Sequence, residues 1–515
     1  MTAKTIMVMG TSSSAGKSLV TTALCRCFAR RGFRVAPFKA QNMSNNAAVC
    51  GDGAEIGRSQ ALQAIAAGTL PHSDMNPILL KPEGQTRSQV IVNGRPHQTL
   101  EAADYFKRRQ QLWPHVTAAL DRLRDQYEVV VIEGAGSPAE LNLASVEMVN
   151  MSVARYCQSP VLLVGDIERG GVFAQLLGTL WLQEPEDRKL IKALLVNKFR
   201  GDLSLFDSGV KVLKERGGVD VLGVLPWIDG LQLPEEDAVA LGGCDLRNPT
   251  HGRGIAADPW YESQIDIAVV HLPHIANFDD FDPLAVEPTV RLRYVRSCEQ
   301  LGHPDVVILP GTKNTMGDLQ WLCDAGLARR IEQLAAHETT VVGICGGYQM
   351  LGQFIDNPLR LESGVERAAG LGLLPVSTIF EAEKQTCQIQ LQIADEAIVA
   401  GMTGEWLSGY EIHNGQTHSN TAWLKNASKN DGAYASGGRI WGCYLHGLFH
   451  NDRFRTAWLK RLGAQPILLE STSSQTQLQL SLDKLADAFE AHVDFNRLLE
   501  IVFESTLSQE SHYVG

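Results

Sequence analysis

The sequence lacks long apolar runs, and no stretch approaches the roughly 20 residues that a membrane-spanning helix needs. Its ten cysteines show no paired CxxC spacing, so we expect reduced thiols rather than disulfides or a zinc site. Excess positive charge is also absent. The formal net charge is -12, which argues against a nucleic-acid surface. No segment is typical of a signal peptide. We therefore expect a cytoplasmic protein with neither a membrane nor a nucleic-acid partner.

The length of 515 residues, 44% of them hydrophobic, allows more than one core. Repeated strand, loop and helix units with polar residues at the strand ends predict an α/β fold with two doubly wound, mostly parallel-sheet domains. Residues 241–264 show no helix or strand periodicity and are predicted to be a linker. We expect domains at 1–240 and 265–460. A C-terminal extension at 461–515 should contain a helix that packs on the second domain, and the sequence indicates no oligomeric state.

One candidate nucleophile stands where a predicted buried strand meets a helix. The run Val341–Ile344 precedes Cys345, which is followed by two glycines and a helix-like pattern. A tight turn there should expose the sulfur and direct the first N–H groups of the helix toward it. Most free cysteines are simply buried hydrophobic residues, but a distant His446 also ends a strand-like run, and Cys with a distant His is typical of an activated thiol. His413 is the alternative base.

A phosphate-binding loop is predicted near residue 10. An apolar strand leads into a loop rich in glycine and serine that ends in Gly16, Lys17 and Ser18, and an amphipathic helix follows. Loop N–H groups can hold phosphates, Lys17 supplies a positive charge, and the Ser18 hydroxyl can bind Mg²⁺. The strict motif would have glycine at Thr11, so this loop is a variant.

Polar residues follow the next predicted strand. Lys39 stands at its carboxyl end, where a second cation could neutralise a transferring phosphoryl group. The amide-rich run after it indicates a polar ligand surface, with Gln41, Asn42 and Asn45 as candidate substrate contacts, although an exposed loop is an equal alternative. Asp52 is a candidate metal ligand.

Two further strand ends carry candidate residues. The run Val129–Ile132 is typical of a doubly buried strand and ends at Glu133, a candidate Mg²⁺ ligand at the phosphate-loop edge. Another strand ends at Asn197, a candidate contact to the nucleotide base or the cap of a helix. Between the strands we expect a turn-rich segment at 70–96 and one helix at about 100–124.

The elbow at Cys345 resembles that of the class I glutamine amidotransferases, with His446 at the position of their base. The resemblance implies that the N–H groups of Gly311 and Gly346 form the oxyanion hole. That family usually has Glu two residues beyond the histidine. Leu448 stands there instead, as in the subgroup of cobyrinic and cobyric acid amidases, so the sequence does not identify the group that orients His446.

The first half is similar to dethiobiotin synthetase at the phosphate loop and after Glu133, and Asn197 with its following lysine resembles a base-contacting pair of related domains. The run from Lys39 to Asn46 resembles a signature of the cobyric acid synthase family. That resemblance implies amidation of the b, d, e and g carboxylates of adenosylcobyrinic acid a,c-diamide, a corrinoid, in cobalamin biosynthesis. ATP, Mg²⁺ and L-glutamine as nitrogen donor would be required.

Three alternatives share parts of this pattern. Cobyrinic acid a,c-diamide synthase has a related domain pair, but the amide-rich run after Lys39 argues against it. CTP synthase also joins these domain types, but it would be expected to have the glutamate that Leu448 replaces. An ATPase switch of the MinD kind with an inactive glutaminase-like domain is an alternative from a different functional class.

Overall fold

The computed structural model describes residues 2–84, 86–234, 265–464 and 473–503. The predicted linker at 241–264 lies outside these residues. No helix in the described ranges is both long enough and apolar enough to cross a membrane.

The first half of the chain has twelve strands within the described residues. They are β1 (Lys4–Gly10), β2 (Val35–Phe38), β3 (Gln41–Met43), β4 (Ala47–Val49), β5 (Glu55–Gly57), β6 (Ile78–Pro82), β7 (Arg87–Val92), β8 (Arg95–Glu101), β9 (Val129–Glu133), β10 (Val161–Asp166), β11 (Ile191–Phe199) and β12 (Asp220–Pro226). Its helices are α1 (Lys17–Arg30), α2 (Arg58–Ala66), α3 (Ala102–Arg108), α4 (Trp113–Gln126), α5 (Met151–Cys157), α6 (Val172–Trp181), α7 (Pro185–Arg188) and α8 (Asp207–Gly217).

The main sheet of this half has the order β12-β11-β10-β1-β9-β2, and all its neighbouring strands are parallel. Every residue of β9 is buried, as expected for a strand covered by helices on both faces. Because parallel strands end at one edge, the phosphate loop after β1, Lys39 after β2 and Glu133 at the end of β9 lie on the same side. This confirms the predicted doubly wound arrangement.

The expectation of a turn-rich segment before residue 96 was wrong. Strands β3, β6, β7 and β8 form a second sheet, and β4 pairs with β5. Asn93 and Gly94, both with positive φ, make the two-residue turn between β7 and β8. The single helix expected at about 100–124 is also corrected. It is divided into α3 and α4, and Pro114 lies in the first turn of α4, where its missing N–H costs little.

The second half begins a new sheet. Its strands are β13 (Ile265–Val270), β14 (Val290–Val295), β15 (Val306–Leu309), β16 (Thr340–Ile344), β17 (Phe354–Asp356), β18 (Arg367–Ala369), β19 (Ser377–Ile393), β20 (Trp406–His418), β21 (Leu424–Lys425), β22 (Asn430–Asp431), β23 (Ala433–Ala435) and β24 (Ile440–Cys443). Its helices are α9 (Asp282–Ala285), α10 (Cys298–Leu301), α11 (Thr315–Asp324), α12 (Leu327–Ala336), α13 (Gly346–Leu351) and α14 (Asp452–Arg461).

Its central sheet has the order β14-β13-β15-β16-β24-β23, parallel except for the last pair. Neighbouring strands β15, β16 and β24 therefore end at the same edge, and the loops after them bring Gly311, Cys345 and His446 together. The long hairpin of β19 and β20 belongs to a separate sheet.

Two C-terminal helices, α15 (Ser474–His492) and α16 (Phe495–Phe503), complete the described chain. The prediction that this extension packs on the second domain was wrong. Leu482, Leu485 and Phe489 are buried in a core shared with α1 and the first sheet. The reason is complementary chemistry, since α1 presents an apolar face, and arginines on α1 and at its C-terminal end pair with the acidic residues of α15: Arg26 with Asp483, Arg30 with Asp487 and Arg31 with Glu490.

Candidate active sites

The turn at Cys345 is a sharp connection between β16 and α13. Cys345 has φ 51° and ψ -108°, a conformation that L-residues adopt only under strain. A Cβ on Gly347 would lie 1.9 Å from the carbonyl oxygen of Leu309, so the helix can approach β15 only with glycine there. The predicted strand-turn-helix geometry is present, and the Cys-Gly-Gly sequence follows from this close packing.

The sulfur is less exposed than the sequence predicted. Cys345 is 6% exposed, because β20 lies over the elbow and its Ile412 carbonyl accepts a hydrogen bond from the Cys345 Sγ at 3.5 Å. The expectation of an exposed sulfur is therefore corrected. Cys345 nevertheless lines a small pocket together with His446 and Gly311, so its thiol is accessible to a small ligand.

His446 lies beside Cys345, since both line the same pocket and both lie next to Gly311. Its Nδ1 lies 2.7 Å from Oδ2 of Asp280, whose Oδ1 accepts the N–H of Gly447 at 2.8 Å. Burial lowers the pKa of His446, but Asp280 and Cys345 outweigh it and raise the pKa to about 10. The imidazole of His446 can therefore stay protonated beside the sulfur, where it can give a proton to a leaving group.

Asp280 is the residue that the sequence did not identify. It lies in the short 3-10 helix Phe278–Phe281, in the loop that follows β13. Its carboxylate is in the position to fix the imidazole orientation, the task given to the third member of a catalytic triad. The signal available was an acidic pair, Asp279 and Asp280, in a loop at the carboxyl edge of the sheet, but nothing in the sequence connects it to His446.

His413, the alternative base, makes different contacts from His446. Its Nδ1 lies 2.8 Å from the carbonyl oxygen of Gly415, and its ring stacks on Tyr444 with centroids 3.8 Å apart. His413 lines the same pocket, but its Nδ1 meets a backbone carbonyl, whereas Nδ1 of His446 meets the carboxylate of Asp280 at 2.7 Å. This geometry favours His446 as the base.

Gly311 and Gly346, the predicted oxyanion residues, both lie beside the nucleophile. A Cβ on Gly311 would lie 3.0 Å from Cε1 of His446 and 3.8 Å from Cβ of Cys345. Gly346 is the first residue of α13, so its N–H belongs to the helix terminus that points toward developing negative charge. Both residues thus lie beside the nucleophile, and their role in the oxyanion hole stays a prediction.

Charged residues of both domains line the pocket. Lys81 comes from β6 in the first half, whereas Lys313, Lys384 and Glu362 come from the second. Burial raises the pKa of Glu362 to about 7, against the opposing effect of Lys313. A pocket with charges of both signs beside a thiol suits an amino acid zwitterion.

The phosphate loop has the geometry that its motif predicts. Gly16 has φ 95°, and a Cβ on it would lie 2.1 Å from Nδ2 of Asn197. Lys17 extends back over the loop and donates to the carbonyls of Ser12 and Gly136, both at 2.9 Å. Asn197 is 1% exposed and donates to the Ala15 carbonyl at 3.0 Å. Asn197 therefore supports the loop, and its contact with the nucleotide base stays a prediction.

A polar cluster lies beside this loop. Ser18 Oγ donates to Glu133 Oε1 at 2.8 Å, Lys39 Nζ lies 2.9 Å from the same oxygen, and Gln63 Nε2 donates to Glu133 Oε2 at 2.6 Å. Burial raises the pKa of Glu133, but Lys39, Gln63 and Ser18 together bring it below the usual value. The sequence analysis did not find Gln63.

The residues present fit Mg²⁺ bound with a nucleotide. No cluster of three His, Cys, Asp or Glu side chains suited to a metal occurs among the described residues. Magnesium in nucleotide sites commonly takes only one or two protein ligands, with phosphate and water oxygens completing the shell. The hydroxyl of Ser18 and the carboxylate of Glu133 form such a set.

The structure does not support Asp52 as a ligand of the same metal. Asp52 is exposed at the turn between β4 and β5, where its Oδ1 accepts the N–H of Ala54 at 3.0 Å. The adjacent Gly53 packs against Thr386 of the long hairpin. Pairing of β4 with β5 therefore carries Asp52 toward the second domain, and none of its described contacts is with Ser18 or Glu133.

The predicted substrate residues differ in accessibility. Asn42 is 4% exposed and donates to Gln60 Oε1 at 3.0 Å, so it lies inside the protein, contrary to its predicted contact with a large substrate. Gln41 is partly exposed and accepts a hydrogen bond from Tyr105. Asn45 is partly exposed as well. Gln41 and Asn45 remain predicted substrate contacts.

Comparisons with known proteins identify two domain types in this chain. The model of the CobB/CobQ-like glutamine amidotransferase domain matches residues 266–454, and that of the CobQ/CobB/MinD/ParA nucleotide binding domain matches 6–239. Cobyric acid synthase of Chloroflexus aurantiacus is 54% identical over 90% of this chain and 93% of its own length. That of Herpetosiphon aurantiacus is 50% identical over 98% and 99%. This chain belongs to the cobyric acid synthase family.

Membership in the cobyric acid synthase family makes the chain an amido-ligase of cobalamin biosynthesis, with a glutamine amidotransferase domain and an ATP-binding domain. The resemblance found in the sequence is thereby confirmed, as is the predicted fold class. Glutamine and ATP use follow from the two domain types.

Proposed function

We propose that the protein converts the b, d, e and g carboxylates of adenosylcobyrinic acid a,c-diamide to amides, using ATP, Mg²⁺ and L-glutamine. The observation that carries the proposal is that Cys345 and His446 line one pocket, with Asp280 Oδ2 2.7 Å from Nδ1 of His446, in a chain that also carries a phosphate loop. High identity to cobyric acid synthases over nearly the whole chain supports this substrate class.

In the glutaminase site, the Cys345 thiolate attacks the side-chain carbonyl of glutamine. The amides of Gly311 and Gly346 hold the resulting oxyanion, and His446 gives a proton to the nitrogen that leaves as ammonia. Water, deprotonated by His446, then hydrolyses the thioester and releases glutamate. Asp280 keeps the His446 ring oriented and stabilises its positive charge.

In the synthetase site, a corrinoid carboxylate oxygen attacks the γ-phosphate of ATP and ADP leaves. Ammonia displaces phosphate from the acyl phosphate and forms the amide. Lys17 and Lys39 steady the transferring phosphoryl group, and Ser18 and Glu133 would hold Mg²⁺, which neutralises phosphate charge when it is bound. Ammonia passes between the domains without release to solvent.

We also propose the domain boundaries 1–240 and 265–460, with a linker at 241–264 and an extension at 461–515. The two family models, which match 6–239 and 266–454, agree with this division. A cytoplasmic location is proposed from the composition.

Mass spectrometry of the corrinoid product tests the function. The a,c-diamide, incubated with the protein, ATP, Mg²⁺ and glutamine, should pass through successive species as each carboxylate becomes an amide, up to the four named positions. Consumption of ATP without any amidated corrinoid would contradict the proposal.

A second incubation with added ¹⁵N-ammonium tests the ammonia path, because the label should be excluded from the product while unlabelled glutamine is hydrolysed.

Glutamate release separates this enzyme from an ATPase switch of the MinD kind. The wild-type protein should release glutamate from glutamine, and the Cys345→Ala variant should not. A wild-type protein without glutaminase activity would favour the switch.

A further inference from the structure

The loop that holds the catalytic base is also held by the first domain. Asp280 contacts His446, whereas the neighbouring Asp279 Oδ2 lies 2.7 Å from Nη2 of Arg58. Asn277, in the same loop, accepts the N–H of Ala47 at 3.1 Å. Its Nδ2 lies 3.4 Å from Nε2 of His446. The base loop, defined as residues 277–280, therefore lies between His446 and the first domain.

The ion pair of Arg58 and Asp279 is shielded from water. The Arg58 side chain is 21% exposed and that of Asp279 is 1% exposed. Removing one partner of such a pair leaves a buried charge without compensation, which disturbs local geometry much more than loss of a surface pair does. Because Asp279 directly precedes Asp280, a shift of the backbone at Asp279 also displaces Asp280.

Arg58 is the first residue of α2, and the same helix reaches the ATP site. Gln63 Nε2 donates to Glu133 Oε2 at 2.6 Å, and the other carboxylate oxygen accepts from Ser18 and Lys39. Gln63 comes five positions after Arg58 in α2, a rise of about 7.5 Å. A short helix moves as a unit, so a change in the contacts of Glu133 can displace Arg58.

We infer that α2 couples the two active sites, with Arg58 as a positioning residue for glutamine hydrolysis. Arg58 holds the base loop so that Asp280 orients His446, and Gln63 makes this arrangement depend on the state of Glu133 in the nucleotide site. Glutamine is thus hydrolysed fastest when ATP and Mg²⁺ occupy the synthetase site. The inference rests on the proposed function and adds the contact through which one site acts on the other.

Variants of Arg58 test the inference in the full-length protein. Arg58→Met keeps the apolar stem and removes the charge, whereas Arg58→Lys keeps a charge that can still meet Asp279. Glutamate release is measured over a range of glutamine concentrations, with and without ATP and Mg²⁺, and amidation of the a,c-diamide is measured separately with ammonium in place of glutamine. Arg155→Met is the control, since Arg155 pairs with Asp187 within the first domain.

Arg58→Met should lower kcat of glutamine hydrolysis by roughly 2- to 30-fold, the usual effect of a mutation between two coupled sites, with little change in KM. Arg58→Lys should recover part of the loss, Arg155→Met should match wild type, and ammonium-dependent amidation should persist in all three. Gln63→Met should reduce the ratio of the rates with and without ATP. Asp279→Asn, which perturbs the same pair from the other domain, should reproduce Arg58→Met.

Wild-type kcat and wild-type ATP dependence in Arg58→Met or in Asp279→Asn would overturn the inference. Loss of ammonium-dependent amidation together with glutaminase activity would also overturn it, because that result indicates a general structural role. If the wild-type protein itself releases no glutamate, the proposed function fails, which is a distinguishable result.

Discussion

Asp280 lies 166 residues before His446 in the chain, yet its carboxylate oxygen is 2.7 Å from Nδ1 of that histidine. The contact joins the loop after β13 to the loop after β24, on strands separated by β15 and β16 in the sheet. In the proposed mechanism, Asp280 takes the orienting role of the glutamate that Leu448 replaces.

Asp280→Asn should lower kcat of glutamine hydrolysis by roughly two orders of magnitude or more, because an amide cannot stabilise the imidazolium and can favour the wrong tautomer. Amidation with ammonium should continue. Steady-state glutamate release measures the first effect, and product mass the second. Unchanged hydrolysis in this variant would contradict the assigned role of Asp280.

The same variant should change the pH dependence. Asp280 raises the pKa of His446, together with Cys345 and against the lowering effect of burial, to about 10. Without the carboxylate, the imidazolium loses its proton at lower pH. The alkaline limb of the kcat/KM profile for glutamine should therefore move to lower pH in Asp280→Asn. A limb that stays in place would show that His446 is not the group that titrates there.

Gly16→Ala should weaken nucleotide binding. Its φ of 95° costs an L-residue about 1–2 kcal/mol, and the added Cβ would overlap Nδ2 of Asn197. Gly178→Ala is the matched control, since Gly178 lies within α6 with nothing within 4 Å of an added Cβ, and this change should stabilise the helix by about 0.5–1 kcal/mol. Calorimetric titration with ATP measures binding. Equal affinity in the two variants would contradict the predicted strain.

The C-terminal helix should depend on apolar burial rather than on its ion pairs. Phe489 is fully buried, so Phe489→Ala should lower the free energy of unfolding by about 3–5 kcal/mol. Asp487 is 65% exposed and pairs with Arg30 at the surface, so Asp487→Asn should cost less than about 1 kcal/mol. Urea unfolding compares the two. A larger effect of Asp487→Asn would mean that charge pairing dominates this contact.

The sequence predicted those parts of the site that local patterns determine. Cys345 and Gly16 are recognisable because a strand, a tight turn and a helix succeed one another within a few residues. Asp280 and Gln63 could not be predicted in this way, since their roles depend on contacts across a sheet and between elements. The hairpin of β7 and β8 was missed although Asn93 and Gly94 carry its turn signal.

The buried Cys345 and the docking of α15 show a second limit of prediction from the sequence. Exposure of the elbow depends on β20, which is far away in the chain and whose position the local pattern does not specify. An amphipathic C-terminal helix can pack on either domain. The structure shows its apolar face in the core of the first domain, with its acidic residues opposite Arg26, Arg30 and Arg31.

The most direct test of the account compares two nitrogen donors in Cys345→Ala. With ATP, Mg²⁺ and the a,c-diamide, this variant should form amidated corrinoid from ammonium but none from glutamine, and it should release no glutamate. Amidation from glutamine at the wild-type rate would contradict the account, because nitrogen would then leave glutamine without the thiol at position 345.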